Sequence, residues 1–304
     1  MSSKDILILG SEGFIGTNLC KYFSNKGYEL WGADISGKGH PALHRFIPVT
    51  LVNADWLSLF SEKSYDLCIN ASGKGDVHFS VIHPYEDYLT NTFELARILE
   101  TIRVSGNSCR FLHISSAAIY GNPRQLPVKE TDQPAPLSPY GFHKLMSEEI
   151  CKEYHAIYKI PIAIVRPFSV YGPGLKKQLL WDAYQKYRNN KNELELWGTG
   201  NESRDFIFID DLARSFDLIL ESGKMEGEVY NIASGNETTI KDVVTKLFAL
   251  LDNKTVIKFN NQSREGDPLN WKADISRIRE LGFEPETSLD KGLQMLVNWL
   301  RTQD

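Results

Sequence analysis

Tyr140-Gly141-Phe142-His143-Lys144 places a phenol and an ammonium four residues apart, so one face of a helix starting near Pro139 would carry both. A tyrosine with an ordinary pKa of about 10 is a poor base at neutral pH, and a neighbouring ammonium favours its phenolate. Such a pair, given a hydroxyl partner, can move a proton on and off an alcohol. That partner is at hand in Phe111-Leu112-His113-Ile114-Ser115-Ser116, an apolar run ending in small hydroxyl residues. Ser116 can hydrogen-bond the oxygen that Tyr140 protonates or deprotonates, whereas Ser115 reads more readily as a strand-end cap. A second constellation is Gly10-Ser11-Glu12-Gly13-Phe14-Ile15-Gly16. Glycines at these positions permit a tight turn, close approach of the backbone to a pyrophosphate, and tight packing of a helix on a strand. Asp34 closes the next apolar run, where a carboxylate can accept hydrogen bonds from an adenosine ribose. Together they specify a dinucleotide site. Asp34 also repels a 2′-phosphate, which favours NAD over NADP, and Lys38, His40 and Arg45 lie close enough in sequence to soften that preference.

The elements that must position these groups follow from the apolar rhythm. Ile6–Leu9, Leu30–Ala33, Leu67–Asn70, Phe111–Ser115 and Ile162–Val165 are short apolar runs separated by helix-period segments, the arithmetic of repeated βαβ units. Runs as uniformly apolar as ILIL and IAIV suit central strands of a parallel sheet covered on both faces. The expected fold is therefore α/β, a Rossmann-type doubly wound parallel sheet. After Gly174 the rhythm breaks into a helix (Gln178–Arg188), an isolated strand (Glu193–Leu196) and mixed segments, which read as a smaller mixed α/β cap. The division expected is 1–170 for the cofactor domain, with parts of 206–235 rejoining it, and 171–304 for the cap.

Composition narrows the function classes. The 304 residues carry 34 Lys+Arg against 39 Asp+Glu, a net charge of −5, so no global positive field invites nucleic acid. The longest clean apolar stretch, Ile160–Val165, is far short of the roughly 20 residues of a membrane span. The apolar run near the N-terminus is too short for a signal-peptide core, and a cytoplasmic protein is expected. Cys20, Cys68, Cys109 and Cys151 are dispersed, with no Cys-x-x-Cys, and read as buried free thiols. His40 and His44 have a metal-like spacing, but Pro41 argues against a helix carrying both, and no metal is expected.

The chain resembles the extended short-chain dehydrogenases/reductases of the nucleotide-sugar epimerase/dehydratase family, in particular the UDP-galactose 4-epimerase-like members, over essentially its whole length. The resemblance is carried by GSEGFIG, Asp34, SSAAIYG, YGFHK, RPFSVYGPG (166–174), GTGNESRDFIFIDD (198–211), VYNIASG (229–235), REGDP (264–268) and ADISRIRELGFEP, in the family's order. It implies that Ser116, Tyr140 and Lys144 are catalytic and that Lys144 also holds the nicotinamide ribose. It further implies a cofactor site of Gly10, Gly13, Phe14, Ile15, Gly16, Asp34, Ala71, Ser72, Gly73, Asn91, Ser115, Pro167 and Phe168 beside Tyr140 and Lys144. Substrate contacts would come from Ser116, Ser169, Arg204, Arg264 and Asp267, the last three holding a nucleotide diphosphate and its ribose. A homodimer paired through two helices, one of them the Tyr-Lys helix, is implied in the same way.

Three reactions share this machinery. A 4,6-dehydratase of the family carries an Asp-Glu pair after the catalytic hydroxyl residue, where this chain has Ala117 and Ala118, so dehydration ranks low. A 4-epimerase leaves its NAD unchanged, and a reductase of 4-keto-6-deoxy sugars consumes reduced cofactor. Asp34 leans toward the epimerase. Ser169, where relatives have asparagine, and the unusual Asn70-Ala71-Ser72-Gly73 hint at an altered sugar pocket. A non-catalytic dinucleotide-binding regulator is a further alternative, disfavoured because Tyr140 and Lys144 are both present.

Overall fold

The computed structural model describes residues 4–50, 54–251, 254–262 and 266–303. Its main sheet has seven parallel strands. In chain order these are β1 (Asp5–Leu9), β2 (Glu29–Asp34), β3 (Arg45–Pro48), β4 (Leu67–Asn70), β5 (Arg110–Ile114), β6 (Ile162–Pro167) and a late seventh, Glu226–Ile232. Between β6 and that seventh strand lie β7 (Ser169–Tyr171), β8 (Glu193–Leu196) and β9 (Ser203–Phe208), which makes the late strand β10. The order across the sheet is β10-β6-β5-β4-β1-β2-β3. Winding reverses between β1 and β4, and the crevice at a reversal, beyond the strands' carboxyl ends, is where such sheets bind ligands. Ile6–Leu9 have no exposed surface, as their uniformly apolar run requires of a central strand.

Helices cover both faces. On one lie α1 (Phe14–Asn25) and a helix at Ile209–Ser222; on the other lie α2 (Trp56–Glu62), α5 (Glu94–Ser105) and α6 (Pro139–Tyr158). The numbering leaves α3 (Val77–Ile82) and α4 (Pro84–Tyr88) before α5, and α7 (Gln178–Asn189) makes Ile209–Ser222 α8. Alternate residues of β1 separate the two layers, Ile6 and Ile8 joining the core under α1 and Leu7 and Leu9 that under α5. β3 adds an edge strand not anticipated from sequence, because RFIP is short and half exposed.

The remaining elements form a smaller mixed unit. β11 (Glu237–Thr239) pairs antiparallel with β9, and β7 pairs parallel with β9. Glu193–Leu196 is not isolated: it pairs in parallel with β12 (Val256–Phe259). The partner was missed because VIKF alternates weakly and lies some sixty residues further along the chain. The core under α1 continues without a break into this unit through Leu194, Val243, Leu247 and Leu293. No helix among the described residues is long and apolar enough to cross a membrane.

Candidate active site

The chain turns from β1 into α1 with almost no room. Gly10 has φ +79°, and a Cβ there would meet the Ala71 carbonyl oxygen at 2.7 Å; a Cβ on Gly16 would sit 2.0 Å from the Gly10 carbonyl oxygen. Gly13 is less constrained, its nearest contact being 3.3 Å. α1 begins at Gly13 with no side chain capping it, so its first backbone N–H groups point into the crevice as donors for an anion. Asp34, at the end of β2, accepts from the Glu12 amide (2.9 Å) and the Ser36 amide (3.1 Å), which fixes the carboxylate beside the turn. Arg45 is drawn away to Glu62 and the Trp31 ring, and His40 Nδ1 accepts from the Ala42 amide at 3.1 Å. On the β4 side Ala71, Ser72 and Gly73 form the opposite wall, tied down by a 2.5 Å hydrogen bond from the Ser72 hydroxyl to Asn70. Gly73 has φ +103°, and a Cβ there would strike the Asn91 Oδ1 at 2.5 Å. That oxygen is buried without a hydrogen-bond partner. An uncapped helix end, glycines that exclude a Cβ, a carboxylate fixed at the end of β2 and an orphaned acceptor fit a dinucleotide.

Ser116, Tyr140 and Lys144 converge at the carboxyl end of β5. Ser116 caps the 3₁₀ turn Ala117–Tyr120, accepting from the Ala118 amide at 3.1 Å. α6 starts with Pro139 in its first turn, and Ser138 caps it by accepting from the Gly141 amide at 3.2 Å. Gly141 lets the first turn of α6 lie on the 3₁₀ turn: a Cβ would meet the Ala118 carbonyl oxygen at 2.7 Å. This close approach brings the Tyr140 phenol into hydrogen-bonding relation with Ser116. Lys144, one turn on, is buried; its Nζ donates to the Ile114 carbonyl (3.0 Å) and lies 5.9 Å from the Tyr140 ring centroid.

Desolvation dominates the electrostatics of the trio. It pushes the Tyr140 phenol up to about 12, with the Ser116 hydrogen bond pulling back and the Asp87 charge pushing further. It drops Lys144 to about 8, against the pull of Asp87. Within the trio, the Ser116 hydrogen bond is the contact that draws the Tyr140 phenol back down. Gly75 closes the front of this space, since a Cβ on it would lie 3.7 Å from the Tyr140 hydroxyl and 3.6 Å from the Lys177 Nζ. Lys177 donates to the Gly75 carbonyl at 3.0 Å, bridging the segment after β7 to the turn after β4. Gly75 and Lys177 were missed by sequence reasoning, although Lys177 follows the RPFSVYGPG motif by only three residues.

Ser115 is committed elsewhere. Its hydroxyl donates to Glu148 at 2.5 Å, and Arg166 grips the same carboxylate through Nε (2.9 Å) and Nη2 (2.7 Å). Arg166 continues to the Tyr120 hydroxyl at 2.7 Å, which donates to Asn231 at 2.6 Å. This buried chain braces β5, α6, β6 and β10 behind the reacting groups. Pro167 ends β6, and Phe168 packs edge-on against Trp271 with centroids 5.8 Å apart. Ser169, the first residue of β7, is half-buried. Arg204 lies over the Trp271 ring at 5.5 Å, its Nη1 donating to the Ser203 and Leu269 carbonyls. Asp267 is exposed and electrostatically coupled to Arg204. Arg264 lies outside the described residues. Gly266 packs beside Ser138, so the segment bearing Asp267 abuts the start of the Tyr140 helix. Trp271 gave no sequence signal. Among the described residues no cluster of three or more His, Cys, Asp or Glu could hold a metal, and all four cysteines are buried thiols.

Comparison with known proteins agrees with this geometry. The UDP-glucuronic acid 4-epimerase of Bacillus cereus, solved with UDP-glucuronic acid and NAD, is 28% identical with a TM-score of 0.89, over 99% of this chain and 100% of that one. The UDP-glucose 4-epimerase of Thermotoga maritima, solved with UDP-glucose, is 28% identical with a TM-score of 0.88, over 98% and 99%. The uncharacterized UDP-glucose epimerase YtcB of Bacillus subtilis is 30% identical over 314 residues, 97% of each chain. The sequence profile of the NAD dependent epimerase/dehydratase family matches residues 6–233, the span that carries the glycine turn, Asp34 and all three converging groups. With that profile covering most of the chain, and the fold and crevice in agreement, this protein belongs to the NAD dependent epimerase/dehydratase family.

Proposed function

We propose that this chain is an NAD-dependent 4-epimerase of nucleotide-diphosphate sugars, with UDP-hexoses the class its relatives handle. The observation that carries the reading is the convergence of Ser116, Tyr140 and Lys144 at the carboxyl edge of β5, next to the uncapped α1 turn. NAD, when bound, supplies the hydride acceptor and a positive charge that favours a phenolate. Gly10, Gly13, Phe14, Ile15 and Gly16 would hold its pyrophosphate and Asp34 its adenosine ribose. Ala71, Ser72, Gly73, Asn91, Pro167 and Phe168 would line the rest, and Lys144 would hold the nicotinamide ribose.

Tyr140 takes the proton of the sugar C4 hydroxyl as hydride leaves C4, and returns it as hydride comes back to the opposite face of the 4-keto carbon. Ser116 hydrogen-bonds the same oxygen throughout. Arg204, with Arg264 and Asp267, holds the diphosphate and ribose, a forked guanidinium being suited to phosphate oxygens. Ala117 and Ala118 stand in the turn directly after Ser116 and can exchange no proton, which sets dehydration aside. The cofactor domain is 1–170 together with α8 and β10, and the remainder forms the substrate cap.

The protein is proposed to act as a cytoplasmic homodimer. Four buried thiols suit a reducing compartment. Tyr85 on α4 and Phe142 and Met146 on α6 are 71%, 49% and 47% exposed, an apolar face for a twofold helix pairing. Light scattering at the mass of one chain would overturn the dimer. The reaction is tested by purifying the protein without added cofactor, denaturing it and identifying the dinucleotide released, then supplying UDP-hexoses. NAD retained near one per chain and inversion at C4 are expected. An empty site and consumption of NADH or NADPH on a 4-keto-6-deoxy sugar would replace the epimerase with the reductase. Binding of NAD with no turnover of either substrate class would leave a regulator.

A further inference from the structure

Asp87, in α4, is a carboxylate with no exposed surface, and nothing in the reaction above uses it. Its Oδ2 lies 2.6 Å from His143 Nδ1, and its Oδ1 accepts from Asn91 Nδ2 at 3.0 Å. His143 is the neighbour of Lys144 on α6. Its carbonyl accepts from the Ser147 hydroxyl (2.7 Å) and the Thr92 hydroxyl (3.0 Å), and the Ser147 hydroxyl also reaches the Asn91 carbonyl (2.8 Å). Asn91 and Thr92 belong to a π-helical turn, Leu89–Phe93, a local widening of the helix that recurs at functional sites. The turn bearing the orphaned Asn91 oxygen and the turns bearing Tyr140 and Lys144 are thus fastened at one point.

The charges facing Lys144 show why that point matters. Glu148 and Cys151 face it from its own helix, Asp87 from α4, Lys177 from the segment after β7 and His113 from β5. Arg166 already neutralises Glu148 through a two-pronged contact. Burial keeps Cys151 a thiol and His113 neutral, and Lys177 has the same sign as Lys144. Asp87 is the first charge that opposes the burial of Lys144, and burial raises its own carboxyl against the pull of His143, Lys144 and Asn91. Its Oδ2 is held from α6 by His143, whose ring also meets the edge of the Tyr88 ring.

We propose that Asp87 and His143 are a positioning pair for Lys144: a buried carboxylate, held from α6 by His143 and from the π-helical turn by Asn91, that favours the ammonium of Lys144 and fixes its helix against the cofactor-side turn. The proposal rests on the reading above only in taking Lys144 as catalytic.

The test is a pH–rate profile of wild type and three variants on the UDP-hexose that wild type inverts, together with NMR titration of lysine labelled with ¹³C and ¹⁵N in substrate-free protein. The Lys144 resonance is assigned by its loss in Lys144→Met. Asp87→Asn removes the charge and is expected to move the alkaline limb of kcat, and the Lys144 titration, down by about one pH unit, with KM within about twofold of wild type. His143→Lys covers Asp87 with a permanent cation and moves both the same way, which carries the test alone if Asp87→Asn fails to fold. His143→Gln keeps a donor to Asp87 and leaves the limb in place. Unmoved titrations in Asp87→Asn and His143→Lys, or a rate lost equally at every pH, would reduce the pair to packing and overturn the proposal. Should wild type invert no nucleotide sugar, the reaction reading fails, and the Lys144 titration still decides the pair.

Discussion

Around Gly10 and Gly16 the crevice is made of backbone: two turns approach so closely that a single added carbon would overlap a carbonyl, and the donors offered are main-chain N–H groups of α1. Around Arg204 it is made of side chains. A guanidinium lies over Trp271, and the surrounding segments are held by a buried carboxylate, Asp205, that accepts from Ser234 N (2.9 Å), Ser234 Oγ (2.8 Å) and Ala273 N (3.1 Å). A backbone site at the end of a parallel sheet is rigid and insensitive to pH, and it suits a cofactor of fixed shape. A side-chain site on short strands can be retuned residue by residue, which suits a variable sugar nucleotide. Tyr140, Ser116 and Lys144 lie on the seam between the two.

The seam should be the most sensitive place. Tyr140→Phe keeps the ring and the packing but removes the proton carrier, so kcat is expected to fall by about 10²–10⁴-fold while NAD binding and thermal stability stay within experimental error of wild type. Turnover on an established UDP-hexose measures it, and an undiminished rate would remove the mechanism.

The contrast between the two regions also explains what the sequence revealed. The glycine turn, Asp34 and the Tyr-Lys helix were legible because steric exclusion and helical spacing are local properties. Gly16 must be glycine because the Gly10 carbonyl, six residues earlier in the same turn, leaves no room for a Cβ. Helix α6 was legible from Pro139 and the Tyr140–Lys144 spacing for the same reason. The pairing of β8 with β12, the Trp271 platform under Arg204 and the Gly75–Lys177 bridge join residues some sixty to a hundred positions apart, and no short-range pattern encodes such meetings. The Asp87–His143 pair belongs with these: each residue is unremarkable alone, and only the packing of α4 on α6 brings them within 2.6 Å.

A difference in pH response would sharpen the comparison. Burial raises the Asp205 carboxyl from 3.8 to about 6, with its hydrogen bonds opposing the rise. The folded state therefore binds a proton more readily than the unfolded chain between those values, and stability falls as pH rises through that window, levelling off above it. The shift of roughly two units amounts to about 3 kcal/mol. Urea unfolding at pH 4 and pH 7 should show that fall in wild type and a much smaller one in Asp205→Asn. An identical fall in both would assign the pH dependence to other carboxyls and leave Asp205 a neutral brace.

The backbone side can be broken sterically. Gly16→Ala places a Cβ 2.0 Å from the Gly10 carbonyl oxygen, so the turn must open, and an NAD affinity loss of about 100-fold is expected by calorimetry on stripped protein. Gly13→Ala meets its nearest neighbour at 3.3 Å and should cost less than about tenfold. Equal losses at the two positions would mean that helix capping, not close approach, limits the turn.

The smallest effect expected is on the side-chain half. Arg204→Lys retains the positive charge that Asp267 faces, but an ammonium has neither the planar face that lies on Trp271 nor the fork that spans two phosphate oxygens. If Arg204 holds the diphosphate, KM for the nucleotide sugar should rise about tenfold with kcat nearly unchanged, because the lost contact is made equally before and during hydride transfer. NAD affinity should stay at the wild-type value, since the cofactor turn shares no side chain with Arg204. A fall in kcat at constant KM would instead mean that Arg204, through Trp271 and its neighbour Phe168, positions the reacting end of the crevice, and the division between a backbone half and a side-chain half would then run through the seam rather than beside it.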